Sequence, residues 1–248
     1  MSEALHPNIA LLNKEPRDLK FANTRPSDAA TLIVIDTSGK APRLLMGKRS
    51  DKLKFMPGMF VFPGGRAEAD DIKVPVHSRL KPEVEAQLQT GVVRPSAARA
   101  HRLALAAIRE TFEETGLVIG VPGKADPIPG DKVWSDYLAT GHLPDLSNLV
   151  FLARAITPPR RPRRFDTRFF IVNANTIVHS VGDIVGPDAE LTELAWLTLE
   201  DTKSQPLPAI TRAILNELEA ALAEGTLGKT GAIPFYSQRH RQFVRALI

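Results

Sequence analysis

Arg109-Glu110-Thr111-Phe112-Glu113-Glu114-Thr115-Gly116-Leu117 closes the longest helical pattern in the chain. It places Glu110, Glu113 and Glu114 at i, i+3 and i+4, on one face of a helix. Like charges at that spacing repel, each pair by roughly 0.2–0.5 kcal/mol, and no lysine is interleaved to relieve them. By themselves the three read as a solvated acidic helix end. The alternative is a divalent cation, because hard ions prefer carboxylate oxygens. Upstream, Ser96 is a good N-cap for a helix over Ala97 to Thr115, in which Leu105, Ile108 and Phe112 form the apolar stripe. Gly116 is its natural stop.

Outward from this helix the pattern alternates. Thr31 to Asp36 is a β-branched apolar strand, and Arg43 to Arg49 is its hairpin partner across Ser38-Gly39-Lys40. Phe60-Val61-Phe62 is a short third strand, stopped by Pro63-Gly64-Gly65. Strands follow at Phe151 to Ile156, Arg168 to Asn173 and Leu194 to Leu199, then an amphipathic helix over Leu207 to Glu224 and a last helix over Ser237 to Leu247. Three parts are expected: an arm over 1–27, broken by Pro7, Pro16 and Pro26; a main domain over 28–200; and a helical extension over 201–248 packed on that domain. Residues 66–95, with Pro75, Pro82 and Pro95 among scattered charges, read as an insertion extruded as a surface excursion, with a short helix around Pro82 to Gln89.

Composition narrows the chemistry. The 248 residues contain no cysteine, which removes disulfide scaffolds, zinc ribbons, thiol nucleophiles and iron–sulfur clusters. Any metal must then be held by carboxylate, carbonyl, histidine or water, and the six histidines show no ligand spacing. No run reaches the roughly 18 apolar residues of a membrane span, and the first 20 residues lack the apolar core of a secretory signal. A cytoplasmic location is expected. The net charge of +4 suits an anionic substrate without requiring one.

Phe62-Pro63-Gly64-Gly65 followed by Arg109-Glu110-x-x-Glu113-Glu114-x-Gly116 resembles the signature of the Nudix hydrolases. In that pattern a glycine, five residues, a glutamate and seven residues precede the R-E-x-x-E-E-x-G tail. Here Thr111 takes an apolar slot, Asp71 stands where the glutamate is expected, and 37 residues separate Asp71 from Arg109 where seven are expected. An expanded box of this kind, with the stretches F-V-F-P-G-G-R and P-R-R-F-D-T-R-F-F, resembles the subgroup of peroxisomal coenzyme A diphosphatases. The chain ends Arg245-Ala246-Leu247-Ile248, which is not a peroxisomal address, so a bacterial-type cytoplasmic relative is expected.

The resemblance implies an α+β fold: a Nudix-type α/β/α sandwich with a mixed sheet, an insertion within the box and extra C-terminal helices. It implies a diphosphatase that splits a nucleoside diphosphate linked to another group, with coenzyme A or acyl-coenzyme A the preferred substrate. ADP-ribose, nucleotide sugars and other nucleotides remain open, as does a non-catalytic module that senses nucleotides or binds nucleic acid. It implies Mg²⁺ or Mn²⁺ on Glu110, Glu113 and Glu114, with the Gly65 carbonyl as a further ligand, and Arg109 holding the glutamate face. The base is Glu110 through a water, or a glutamate from a later loop, Glu190 or Glu193; for the latter two, ordinary polar positions ahead of a strand are the competing reading. Arg164 and Arg168, flanking a strand entry in Arg160-Arg161-Pro162-Arg163-Arg164-Phe165-Asp166-Thr167-Arg168, are candidates for gripping phosphate. Arg49 is a weaker one, and a solvated loop competes with all three. The partner is a small-molecule diphosphate; membrane and nucleic acid are not expected, and a homodimer contact through the insertion is open.

Overall fold

The computed structural model describes residues 6–14 and 20–248. In chain order the elements are α1 (Pro7–Asn13), β1 (Ser27–Asp36), β2 (Arg43–Arg49), β3 (Phe60–Val61), β4 (Gly64–Arg66), α2 (Pro82–Gln89), α3 (Ala97–Thr115), β5 (Leu117–Pro122), α4 (Lys132–Ala139), β6 (His142–Pro144), β7 (Val150–Ile156), β8 (Phe165–Asn173), β9 (Ile177–Ser180), β10 (Leu191–Thr198), α5 (Leu199–Ser204), α6 (Ala209–Ala223), β11 (Pro234–Arg239) and β12 (Gln242–Leu247). Short 3₁₀ turns lie at Asp70–Lys73 and Ala174–Thr176.

The main sheet runs β10-β2-β1-β8-β7-β11-β12, with β3 beside β2 and β4 beside β1. It is mixed, because β1 with β8 and β7 with β11 are parallel and the other pairs antiparallel. Its inner strands read as near-continuous apolar runs, and both faces are covered, as a buried sheet requires. One face packs with α2, α3 and α4 through residues such as Leu32, Leu105, Ile108 and Trp134. The other packs with α1 and α6 through Leu12, Ile33, Met46, Ile214 and Leu218. The architecture is the expected α/β/α sandwich of the α+β class. No helix among the described residues is long and apolar enough to cross a membrane.

The helix α3 begins and ends where its sequence predicts. Ser96 Oγ accepts from the Arg99 amide at 3.4 Å, and Gly116 takes φ +74° while its N–H bonds the Phe112 carbonyl at 2.8 Å. A side chain there would be strained, and it would also collide with the Val181 carbonyl.

Three expectations are corrected. Residues 234–247 form the hairpin β11–β12, not a helix, and it extends the main sheet beyond β7. Residues 66–95 are not an excursion: Val74, Leu80, Val84 and Leu88 are buried in the α3-side core. Within the 1–27 arm, α1 buries Ile9 and Leu12 against the opposite core, and Asn8 donates to the Ala213 carbonyl and to Tyr236 Oη; residues 1–5 and 15–19 of the arm lie outside the described residues.

Candidate active site

The last turn of α3 meets β4 in a cleft of about 800 Å³. Strand β4 pairs with β1 so that Gly64 faces Thr31 and Gly65 faces Ala30. The Gly64 amide donates to Glu114 Oε2 at 3.1 Å. Gly65 lies so close to Glu110 that a Cβ there would collide with its carboxylate, and only glycine lets the backbone approach this way.

Arg109 fastens helix to loop. Only 4% exposed, it donates from Nε to Asp71 Oδ1 at 2.7 Å and from Nη2 to the Arg66 carbonyl at 2.8 Å, and its Nη1 lies 2.9 Å from Glu110 and 3.3 Å from Glu113. Burial alone would lower its pKa, but the bonds and charge of Asp71 raise it overall. Asp71 is fully buried and also accepts from Trp134 Nε1 at 2.9 Å and the Glu68 amide at 2.8 Å. The aspartate thus fills the place where the signature carries a longer acid.

Glu110, Glu114 and Glu190 border the cleft. Burial, with Glu113 and Asp71 nearby, pushes the Glu110 carboxyl up to about 7 against the pull of Arg109. Burial likewise raises Glu114 well above the carboxylate range, helped by the charges of Glu190 and Glu110. Two carboxyls held this way have too little positive charge around them, and a cation is what their ionised forms call for. Glu113 points elsewhere, with its side chain 49% exposed and drawn to Arg109. As the side chains stand, no three acidic or histidine groups among the described residues form a ready ligand cluster. The donor chemistry nevertheless suits a hard divalent ion: carboxylate oxygens with the Gly65 backbone against them.

Across the cleft, Arg49 Nη1 pairs with Glu190 Oε1 at 2.7 Å, and its Nε donates to the Phe55 carbonyl at 3.1 Å. Arg164 lines the cleft, but its guanidinium is engaged by the Thr157 carbonyl, Asn23 Oδ1 and the Thr24 carbonyl. Two sequence candidates do not reach it. Glu193 is an exposed residue of β10 paired with Lys48. Arg168 is fully buried on the other face of β8, bonded to Asp166 at 2.9 Å with Asp28 at 3.5 Å, and burial brings its pKa down to about 10. Arg25, Arg66, Arg163, Phe55 and Met56 also line the cleft and were not singled out from the sequence. Strand parity could have found part of this set, since Phe165, Thr167 and Phe169 share the cleft face.

No family model matches the chain. The crystal structure of a Nudix hydrolase from Alicyclobacillus acidocaldarius superposes with a TM-score of 0.58 at 29% identity, covering 81% of this chain and 96% of that one. In sequence and fold the chain is similar to Nudix hydrolases. It is also 28% identical to the acyl-coenzyme A diphosphatase NUDT19 of Xenopus laevis over 217 residues, 66% of this chain and 56% of that protein. A Caenorhabditis elegans protein carrying the name nudix hydrolase 7 is 29% identical over 168 residues, 62% of this chain and 46% of its own length. The chain spans about half the length of the curated relatives it matches. The two halves of the Nudix-like box stay in contact, despite the residues inserted between them.

Proposed function

We propose that this Nudix protein hydrolyses the diphosphate bond of a nucleoside diphosphate linked to another group, with acyl-coenzyme A or coenzyme A as the preferred substrate. The observation that carries the reading is the convergence of Glu110, Glu114 and Glu190 on one cleft, beside Gly64-Gly65 and facing arginines. The likeness to the Xenopus enzyme favours the coenzyme A choice.

Glu110 and Glu114, with Glu113 turning in from the same helix face, would hold Mg²⁺ or Mn²⁺ beside the Gly65 carbonyl. Such an ion neutralises the linked phosphates and lowers the pKa of a bound water. The chain's own residues set the stage for this. Arg109 keeps the glutamate face against β4, and the Gly64 amide orients Glu114. Arg49 is placed to bind a phosphate oxygen, and Glu190, its partner, is thereby held over the cleft. Glu110 and Glu190 are the cleft carboxylates able to take a proton from the attacking water.

The test is incubation with Mg²⁺ or Mn²⁺ and a panel of coenzyme A, acyl-coenzyme A, ADP-ribose, nucleotide sugars and dinucleotides, with products resolved by chromatography. Cleavage within the diphosphate, fastest for the coenzyme A compounds, is expected. Survival of every compound while the protein still binds nucleotide or RNA would overturn the enzyme reading.

A further inference from the structure

The cleft has two ends of opposite charge, and the diphosphatase reading uses only one of them. Strand register shows how they are arranged. Thr31 pairs with Gly64 on one side and Phe169 on the other, and Ala29 pairs with Arg66 and Thr167. Ser27 pairs with Phe165, and all of these residues line the cleft. They are therefore one face of the sheet, floored by the small side chains Ser27, Ala29 and Thr167. From Thr31, beside the acidic end, Ser27 lies four residues back along β1, about 13 Å at roughly 3.3 Å per residue. Two residues ahead of the Ser27–Phe165 pair stand Arg25 and Arg163, both exposed and both lining the cleft.

These two guanidinium groups have no ion-pair partner among the described residues. Their neighbour Arg164 is spent on structure: it bonds Thr157, Asn23 and Thr24, and its carbonyl accepts from the Ser27 amide at 2.9 Å. That knot ties the segment before β1 to the segment before β8 and holds Arg25 and Arg163 at the same end of the floor. Like charges held at the same end of one cleft disfavour each other. A terminal phosphate or carboxylate relieves this, because arginine forks bind such groups bidentately.

We propose that Arg25 and Arg163, with the Ser27 and Thr167 hydroxyls, form a second anion subsite remote from the glutamates, so that the preferred ligand carries a further phosphate monoester or carboxylate beyond its diphosphate. The inference rests on the diphosphatase reading for the placement of the diphosphate. It adds that the ligand is anionic at two separated points.

Calorimetric binding in EDTA separates the two sources of charge. One arm compares coenzyme A with dephospho-coenzyme A, which differ by one phosphate monoester. The other compares succinyl- with butyryl-coenzyme A, which differ in carrying a terminal carboxylate. The wild type should prefer the more anionic member of at least one pair by about fivefold or more, and Arg25→Gln/Arg163→Gln should cut that preference at least threefold with an unchanged melting temperature. The charge-retaining Arg25→Lys/Arg163→Lys should keep part of it. Absence of preference in both arms, or a preference that survives the glutamine variant, overturns the subsite. Hydrolysis of the same compounds with Mg²⁺ is scored separately: its failure would sink the diphosphatase reading, while the binding ratios still judge the subsite.

Discussion

Asp71→Ala removes the acid that neutralises a buried arginine, and the size of the effect can be worked from the contacts. Asp71 is fully buried and accepts from Arg109 Nε at 2.7 Å, Trp134 Nε1 at 2.9 Å and the Glu68 amide at 2.8 Å. Arg109, 4% exposed, would keep the Arg66 carbonyl and the edges of Glu110 and Glu113 but lose its only fully buried counter-charge. Removing one partner of a buried pair costs about 3–5 kcal/mol. At about 2–4 °C per kcal/mol for a chain of this size, the melting temperature should fall by about 6–20 °C. Trp134→Phe keeps the ring packing and removes one hydrogen bond to a charged group, worth about 1.5–3 kcal/mol, so its loss should be smaller. Thermal unfolding followed by circular dichroism measures both. A fall below about 2 °C for Asp71→Ala, or a larger fall for Trp134→Phe than for Asp71→Ala, would refute the role given to this pair.

Four further outcomes follow from the site and the insertion. Glu113→Gln and Glu114→Gln should fold normally and lose turnover by orders of magnitude in a diphosphate-cleavage assay; near-normal rates in both would remove them from the metal site. Glu110, raised to about 7, and Glu114, also raised, stabilise the fold at low pH and lose that contribution as pH rises. The metal-free melting temperature should therefore decline from about pH 4.5 through 7, with Mg²⁺ reversing the decline and Glu110→Gln shrinking it; a flat profile without metal contradicts the uncompensated carboxylates. Deleting 72–95 should give insoluble protein, because Val74, Leu80, Val84 and Leu88 are core residues. Leu88→Ala alone should cost about 2–5 kcal/mol in chemical denaturation, and a loss under 1 kcal/mol would mean that this helix is not packed as described.

Much of the fold was legible because local signals agreed. Ser96, the apolar stripe and Gly116 bound α3 within the residues that the pattern marks. The C-terminal hairpin was hidden for a specific reason. Its two-residue turn, His240-Arg241, takes positive φ at both positions, 47° and 67°, a conformation ordinarily announced by Asn-Gly or Gly-Gly. With no such signal, the glutamine, arginine and alanine around it read as helix. Arg168 was misplaced through parity. It lies one residue from Thr167 and Phe169, and a single step along a strand moves a side chain to the opposite face. The cleft arginines Arg25 and Arg163 were invisible for another reason: what brings them together is the parallel pairing of β1 with β8, separated by more than a hundred residues of chain.

The split box shows which of two sequence criteria carries physical weight. Thirty residues beyond the expected spacing would fail a pattern search, yet lengthening a closed loop from 7 to 37 residues costs only about 1.4 kcal/mol, at roughly 0.6 per doubling. Against this stand the buried Arg109–Asp71 pair and four apolar side chains that the insertion adds to the core, each of the latter worth about 1.5–3 kcal/mol on burial. Loop closure is thus a small term beside these contacts, and the larger cost, ordering the inserted backbone, is what the buried side chains work against. The quantity that must be preserved is therefore the identity of the groups that meet: an arginine on the helix, an acid on the loop, and glycines that let the strand lie against the glutamates. Spacing is free to drift provided the intervening residues bury something, and here they do, which is why the helix motif and the Pro63-Gly64-Gly65 turn still find each other across Asp71.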